Sequence, residues 1–204
     1  MQGFEEGSGF PKTFGAIDGN HHLNMLITNT LVCDHKTLIT HCYTGHPGSV
    51  HDQSVFRLSE VSNYLSDDEK FPADSHILGD AAYELNQHLL TPFRDNGHLN
   101  ERQKNYNYRH SAARVTVERC IGLLKGRIRS LLHCLPMTRV DLMAKYVVAC
   151  YVIHNNSTLR RDEINVITIS PCVQENVRDD NVLYKGIQNT GVHKRNLIMN
   201  TLQQ

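Results

Sequence analysis

Short runs of hydrophobic residues, bounded by glycine, asparagine, aspartate or proline, dominate the first half of the chain and are typical of β-strands. The predicted strands cover residues 14–18, 23–33, 38–43, 75–80 and 89–91. Gly19-Asn20 separates the first two runs and matches a two-residue hairpin turn. The pattern therefore predicts three strands that pair in succession, followed by two shorter strands.

Four segments have the composition of α-helices. Ser49 can cap a helix whose apolar stripe is Val55, Phe56, Leu58, Val61 and Leu65. The stripe within residues 112–132 is Val117, Ile121, Leu124, Ile128 and Leu131. Residues 140–154 are apolar nearly all round, which favours a buried helix but also permits a strand. Residues 195–202 form a short helix, and the polar residues 94–108 form a loop.

Strands that come first and then alternate with helices indicate an α/β fold in which helices pack on a sheet. The chain of 204 residues can bury a core as one domain. We assign this domain to residues 10–156 and a polar tail, with a short terminal helix, to residues 157–204. No hydrophobic run approaches the roughly 20 residues that a membrane-spanning helix needs.

The formal net charge is zero, but the charges are segregated along the chain. Eight basic residues lie between Arg102 and Arg129, and the only acid among them is Glu118. This distribution predicts a phosphate-binding surface on a neutral protein. The six cysteines are scattered and the histidine spacings match no common zinc site, so we expect reduced thiols and no zinc framework.

Three acids occupy positions that suit a metal site. Asp18 and Asp80 each end a predicted strand, and Glu118 lies within an amphipathic helix. Acids at strand ends lie at the edge of an open sheet, where α/β folds place their sites. Carboxylates brought together repel one another unless a cation joins them, and oxygen ligands favour Mg²⁺ or Mn²⁺. Ordinary roles remain open, because strand-end aspartates often cap turns and helical glutamates are often solvated.

The sequence motifs around these acids form an ordered series: FGAIDG at 14–19, PGSVHD at 47–52, LGDAAY at 78–83, YNYRH at 106–110, VERCIGLLKGR at 117–127 and IHN at 153–155. The series resembles the PIF/Harbinger transposases and the Harbinger transposase-derived nucleases of the DDE endonuclease superfamily. The resemblance implies an RNase H-like fold, a mixed sheet flanked by helices. It also implies a DNA endonuclease that uses two Mg²⁺ or Mn²⁺ ions, bound by Asp18, Asp80 and Glu118.

Asp52 has two interpretations. The resemblance implies a metal-linked aspartate at this position. The sequence from Ser49 to Asp52 also matches a capping box, in which the acid bonds back to the backbone of the capping residue. Both roles stay open and are compatible with each other.

The candidate DNA-binding residues are Lys125, Arg129 and Arg114. Lys125 and Arg129 follow Glu118 at i+7 and i+11 on the predicted helix, and Gly122 shares their stripe at i+4. Gly122 leaves room for a phosphate backbone, which the two basic side chains can bind. A solvated basic face is the alternative interpretation.

Two features depart from the family pattern. The connection after Asp18 is short, and a hairpin forced at Gly19-Asn20 would displace Asp18 or turn it to the opposite face of the sheet. We therefore expect weak cleavage by this chain. The family's helical DNA-binding region has no room before the first strand, so target recognition is expected to come from elsewhere. The resemblance suggests a Myb-like partner protein.

Two functions follow from these observations. The first is a metal-dependent DNA endonuclease, supported by Asp18, Asp80 and Glu118. The second is a catalytically inactive DNA-binding or protein-interaction module that retains the fold, supported by the short first hairpin. The resemblance implies a location in the nucleus, with the cytoplasm as a second compartment.

Overall fold

A five-stranded mixed sheet in the order β3-β2-β1-β4-β5 forms the centre of the fold. This computed structural model describes residues 2–21, 27–47, 52–71, 74–132, 139–162 and 189–202. The strands are β1 (Thr13–His21), β2 (Ile27–Cys33), β3 (Ile39–Pro47), β4 (His76–Leu78) and β5 (Leu89–Leu90). β1, β2 and β3 pair antiparallel, whereas β4 and β5 run parallel to β1. This arrangement is consistent with the predicted RNase H-like fold.

Helices lie on both faces of the sheet. They are α1 (Gln2–Ser8), α2 (Asp52–Leu58), α3 (Glu60–Tyr64), α4 (Glu101–Arg127), α5 (Val140–Leu159) and α6 (Asn189–Thr201). Short 3₁₀ helices cover Asp68–Lys70 and Arg129–Leu132. No helix within these described ranges is long and apolar enough to cross a membrane.

Successive residues of β1 face two different hydrophobic cores. Ala16 belongs to the larger core, which contains the buried faces of α4 and α5. Ile17 belongs to the smaller core with Phe56 of α2 and Val61 of α3. Because side chains alternate along a strand, each face of β1 is sealed by a different layer of helices.

The predicted turn at Gly19-Asn20 is wrong. Both residues lie within β1, where they pair with Thr30 and Asn29 of β2. The observed register pairs Ala16 with Cys33 and Ile17 with Val32, so that apolar partners lie together on each face. Burial of these pairs decides the register against the local turn preference. The connection at residues 22–26, including the predicted start of β2, lies outside the described residues.

The polar segment 94–108 was predicted as a loop, but α4 begins at Glu101. Asn100 caps the helix by accepting a hydrogen bond from the Gln103 N–H, and the Gln103 side chain accepts one from the Asn100 N–H. The buried stripe of this helix includes Tyr106, His110, Ala113 and Cys120. These residue types are only weakly apolar, so the hydrophobic pattern missed the first half of the helix.

The remaining helices differ from the predictions mainly in length. The helix expected after Ser49 is divided into α2 and α3 at Ser59, whose hydroxyl donates to the Phe56 carbonyl at 2.6 Å. Ser49 itself lies outside the described residues. Residues 140–154 form a helix, but its outer face leaves Val152 57% exposed. Helix α6 begins six residues before the predicted Arg195, and its Ile198 joins the larger core.

Two asparagines hold the sheet against the long helices. The Asn107 side chain of α4 accepts from the Phe93 N–H and donates to the Phe93 carbonyl, each at 2.8 Å. The Asn155 side chain of α5 makes the same pair of bonds with Ile39 at 2.9 and 2.8 Å. Each amide thus satisfies the backbone of a residue at a strand end, as an added strand would.

Asn155→Ala should destabilise the protein by about 2 kcal/mol, because it leaves the N–H and carbonyl of Ile39 without these partners. Urea unfolding followed by circular dichroism measures the change. Asn156→Ala is the matched control, since Asn156 is its exposed neighbour on the same helix, and it should stay within about 0.5 kcal/mol of wild type. Equal effects of the two variants would contradict the role of the Asn155 amide.

Candidate functional site

Asp18 lies within β1, three residues before its end and not at the strand end as predicted, and Asp80 lies two residues after the neighbouring parallel strand β4. β1 and β4 are paired so that Ala16 lies beside Leu78, and each aspartate comes two residues after its paired position. Gly79 faces the smaller core, because a Cβ there would lie 3.2 Å from the Ile17 side chain. Alternation along β1 directs Asp18 to the face opposite Ile17, the one covered by α4. The displacement of Asp18 to the opposite face, expected from a forced hairpin, is not found.

Asp18 forms a partly buried ion pair with α4. Its Oδ1 lies 3.3 Å from Nη2 of Arg114, and the two side chains are only 21% and 15% exposed. The low local dielectric makes such a pair stronger than one on the surface. Within the described part of the chain, the buried Nε of Arg114 has no hydrogen-bond partner. The guanidinium therefore keeps hydrogen-bonding capacity beyond its contact with Asp18.

Lys125 is a second α4 cation close to Asp18. Burial lowers the pKa of the Lys125 ammonium, and the negative charge of Asp18 opposes that shift. Glu118 lies one turn after Arg114 and about two turns before Lys125, so that all three side chains share one stripe of the helix. Glu118 itself is exposed. The stripe that carries Glu118 is thus the stripe that faces Asp18.

The three predicted metal ligands do not form a preformed metal site. Among the residues whose side chains are described, no three His, Cys, Asp or Glu side chains converge on one point. Asp18 is held by Arg114, and Oδ1 of Asp80 accepts a hydrogen bond from the Ala82 N–H at 2.8 Å. The side chain of Asp52 lies outside the described set, so its two interpretations stay open. The ligand assignment remains a prediction.

The donor chemistry nevertheless fits a hard divalent cation. Carboxylate oxygens on adjacent strands and on the facing helix are the ligands that Mg²⁺ and Mn²⁺ prefer. The Arg114 guanidinium already stands beside Asp18 as a positive charge. Asp18 is therefore in an environment that stabilises a cation, and an ion bound there would replace or displace the guanidinium.

The candidate DNA-binding residues lie in three different settings. α4 ends at Arg127, so Arg129 lies in the following 3₁₀ helix and not on the predicted stripe. Lys125 is partly buried near Asp18, and Arg114 is paired with it. Gly122 is exposed, with open space where a side chain would stand.

Some residues in the motifs that resemble the family make structural contacts that the sequence did not reveal. Arg127 donates to Thr158 Oγ1 at 2.8 Å and to the Asp162 carbonyl at 2.9 Å, which fastens the end of α4 to the end of α5. His110 bonds to the Leu90 carbonyl at 3.1 Å, and His154 to the Thr37 carbonyl at 2.9 Å. The ion pair of Arg114 was also missed, although its spacing of four residues from Glu118 places both on one helix face.

Asp18 of β1, Asp80 after β4 and the helix that carries Glu118 lie within one matched region. The family model described as "DDE superfamily endonuclease" matches residues 11–155. The chain belongs to this family. The match confirms the resemblance drawn from the motif series.

Similar curated proteins include "Putative nuclease HARBI1". The chain is 32% identical to the rat protein (Rattus norvegicus) over 147 residues, which are 68% of this chain and 38% of the relative. The human protein (Homo sapiens) is 31% identical over the same shares. "Protein ALP1-like" from Arabidopsis thaliana is 26% identical over 182 residues, 74% of this chain and 44% of the relative. The chain thus spans less than half of these relatives, and no solved structure gave a significant match.

Asp18→Asn should lower the pKa of Lys125 further, because it removes the charge that opposes the effect of burial. NMR titration of the lysine side chains, labelled with ¹³C at Cε, measures this pKa. Lys104 is the internal control, since Glu101 raises its pKa through a hydrogen bond that the substitution does not touch. An unchanged Lys125 titration would show that Asp18 and Lys125 do not interact.

Proposed function

We propose that this chain is a metal-dependent DNA endonuclease domain that hydrolyses phosphodiester bonds by a two-metal mechanism. One observation carries the proposal: Asp18 of β1 and Asp80, which follows β4, lie two residues beyond the paired residues Ala16 and Leu78, and Asp18 faces the helix stripe that carries Glu118. An acid from each of three neighbouring elements suits an enzyme that neutralises charge on a phosphate. The match to the endonuclease family supports the same chemistry.

The acids of this chain supply the ligands. Asp18, Asp80 and Glu118 would hold the divalent cations, with Asp52 as a further candidate. When bound, such ions activate a water nucleophile and stabilise the leaving oxygen. Arg114, once separated from Asp18, can donate to a phosphate oxygen through its guanidinium. Lys125 adds a second positive charge on the same stripe, and its partial burial strengthens that charge's attraction to an anion.

Nucleic acid is the substrate that this arrangement suits. The relatives from rat and human carry the word nuclease in their names. Of the basic residues between Arg102 and Arg129, Arg114 and Lys125 lie near Asp18, and Gly122 leaves the helix surface open between them. We further propose that a Myb-like partner selects the DNA target and that the protein acts in the nucleus.

An inactive DNA-binding or protein-interaction module is the second candidate. The observation in its favour is the Arg114–Asp18 ion pair, together with the absence of a three-carboxylate cluster among the described side chains. In such a module the guanidinium replaces the metal permanently. The two candidates therefore differ in whether Arg114 gives way to a divalent ion.

Supercoiled plasmid incubated with the protein and Mn²⁺ or Mg²⁺ should be nicked slowly, since each turnover requires Arg114 to leave Asp18. Asp80→Asn should lower the nicking rate by on the order of a hundredfold or more, because even changes outside a ligand shell cost up to about that much. Gel electrophoresis of the plasmid forms measures the rate. Nicking that persists equally in Asp18→Asn and Asp80→Asn would assign the activity to a contaminant and favour the inactive module.

Mg²⁺ or Mn²⁺ should also raise the melting temperature of the wild-type protein. At a hundredfold excess over Kd the rise should be about 5–10 °C, since the ion binds the folded state only. Asp80→Asn should remove the rise. Asp95→Asn is the matched control, because Asp95 also accepts a backbone N–H two residues on, at 2.9 Å from Gly97, but is not one of the predicted ligands. If Asp80→Asn responds to the ion like wild type, Asp80 is not a ligand.

A further inference from the structure

A pocket of about 370 Å³ includes Ala81, the residue after Asp80, in its wall, and part of that wall comes from beyond the family match. The turn that follows Asp80 contributes Ala81 and Glu84. The segment after β5 contributes Thr91, Pro92 and Arg94, and helix α6 contributes Val192 and Arg195. The pocket is thus formed at the carboxyl ends of β4 and β5 by elements that are far apart in sequence.

Arg195 is the most unusual group in this wall. Its guanidinium lies over the Phe93 ring, 4.0 Å from the centroid, and Nη1 donates to the Pro92 carbonyl at 3.3 Å. Its buried Nε has no hydrogen-bond partner among the described residues, and the guanidinium forms no salt bridge there. Burial lowers the pKa of Arg195, which reflects the cost of holding this charge away from water. A partly buried cation without an acid partner among the described residues is a suitable place for an anion.

The surrounding charges leave the pocket positive. Arg94 is a second cation in the wall. The wall's acid, Glu84, is paired with Arg57 at 3.2 Å. The described wall therefore carries two cations, Arg94 and Arg195, against one acid, Glu84, which also faces Arg57.

Helix α6 is firmly held, so Arg195 is positioned before any ligand arrives. Lys194 is 6% exposed, and its Nζ lies 2.8 Å from Asp74 Oδ1 and 3.2 Å from the Ser75 carbonyl. Gly191 lies so close to the Asn86 backbone that a Cβ would come within 2.8 Å of it. Lys194 has an acid partner and anchors the helix. Arg195, the next residue, has none within the described part of the chain and faces the pocket.

We propose that this pocket binds a phosphate group of the DNA backbone, held by Arg195 and Arg94 beside Asp80. The proposal rests on the proposed nuclease function for the identity of the ligand. A planar guanidinium fixed by ring stacking presents its donors in the geometry that phosphate oxygens accept. A backbone phosphate held here would fix the position of the strand relative to Asp80, and it would carry no sequence information. Helix α6 is then part of the DNA-binding surface of the domain.

The test is the binding of a fluorescent DNA duplex of about 20 base pairs by anisotropy, in EDTA so that no cleavage occurs. Arg195→Gln should raise Kd about three- to tenfold at low salt and reduce the slope of log Kd against log salt by about one unit. Arg94→Gln should have the same direction of effect. Since Arg94 is exposed, its loss should leave the fold intact even if Arg195→Gln does not fold.

Lys36→Gln is the control for the loss of one positive charge. Lys36 lies exposed on the turn between β2 and β3, at the sheet edge opposite Asp18, and should bind DNA like wild type when replaced. Folded Arg195→Gln and Arg94→Gln proteins with wild-type affinity would overturn the proposal, as would an equal loss in Lys36→Gln. A rise in melting temperature with inorganic phosphate that needs Arg195, without any change in DNA affinity, would assign the pocket to free phosphate and also overturn it. A failed cleavage assay leaves these binding results standing, so the two proposals fail separately.

Discussion

The rest of the structure depends on the register of β1 between two hydrophobic cores. Ala16 and Ile17 are both fully buried but on opposite faces, and Asp18 follows where the strand passes beyond the larger core. A slip of one residue would turn Ile17 toward α4 and Asp18 toward Phe56, burying a charge among apolar side chains at a cost of several kcal/mol. The cores thus fix the direction of Asp18 more strongly than the connection that follows it.

Because this register places Asp18 next to the larger core, its negative charge has to be balanced by a positive one. A carboxylate this close to the core needs a positive neighbour, and α4 provides Arg114 directly and Lys125 at longer range. A divalent ion would satisfy the same requirement, so the ion and the guanidinium compete for one position. A nuclease and an inactive relative can therefore share this arrangement, and the relative affinities of Asp18 for the two cations decide between them.

The sequence predicted the fold and the positions of the acids better than their contacts. Strands β1 to β5 and the second half of α4 followed from apolar periodicity, because burial at fixed spacing is what that pattern records. The start of α4 was missed because the buried residues there, Tyr106 and His110, are only weakly apolar. The pairing of Arg114 with Asp18 joins residues 96 positions apart. Such a pair depends on how a helix crosses a sheet, which local patterns do not encode.

The residues in the motifs that resemble the family are of two kinds, according to the contacts that they make. Asn107, His110 and Asn155 bond to backbone groups of the sheet and hold α4 and α5 against it. Asp80 and Glu118 have no comparable structural task, since Glu118 is exposed and Asp80 only closes a turn. Asp18 belongs to both kinds, because it also balances the charge of Arg114. Loss of the residues that bond to the backbone should weaken the fold, and so should loss of Asp18, because Arg114 would then lose its acid partner. Loss of Asp80 or Glu118 should leave the stability nearly unchanged. Asp80 and Glu118 are therefore acids that the stability of the fold does not require, which is what a role in binding a cation or a substrate predicts.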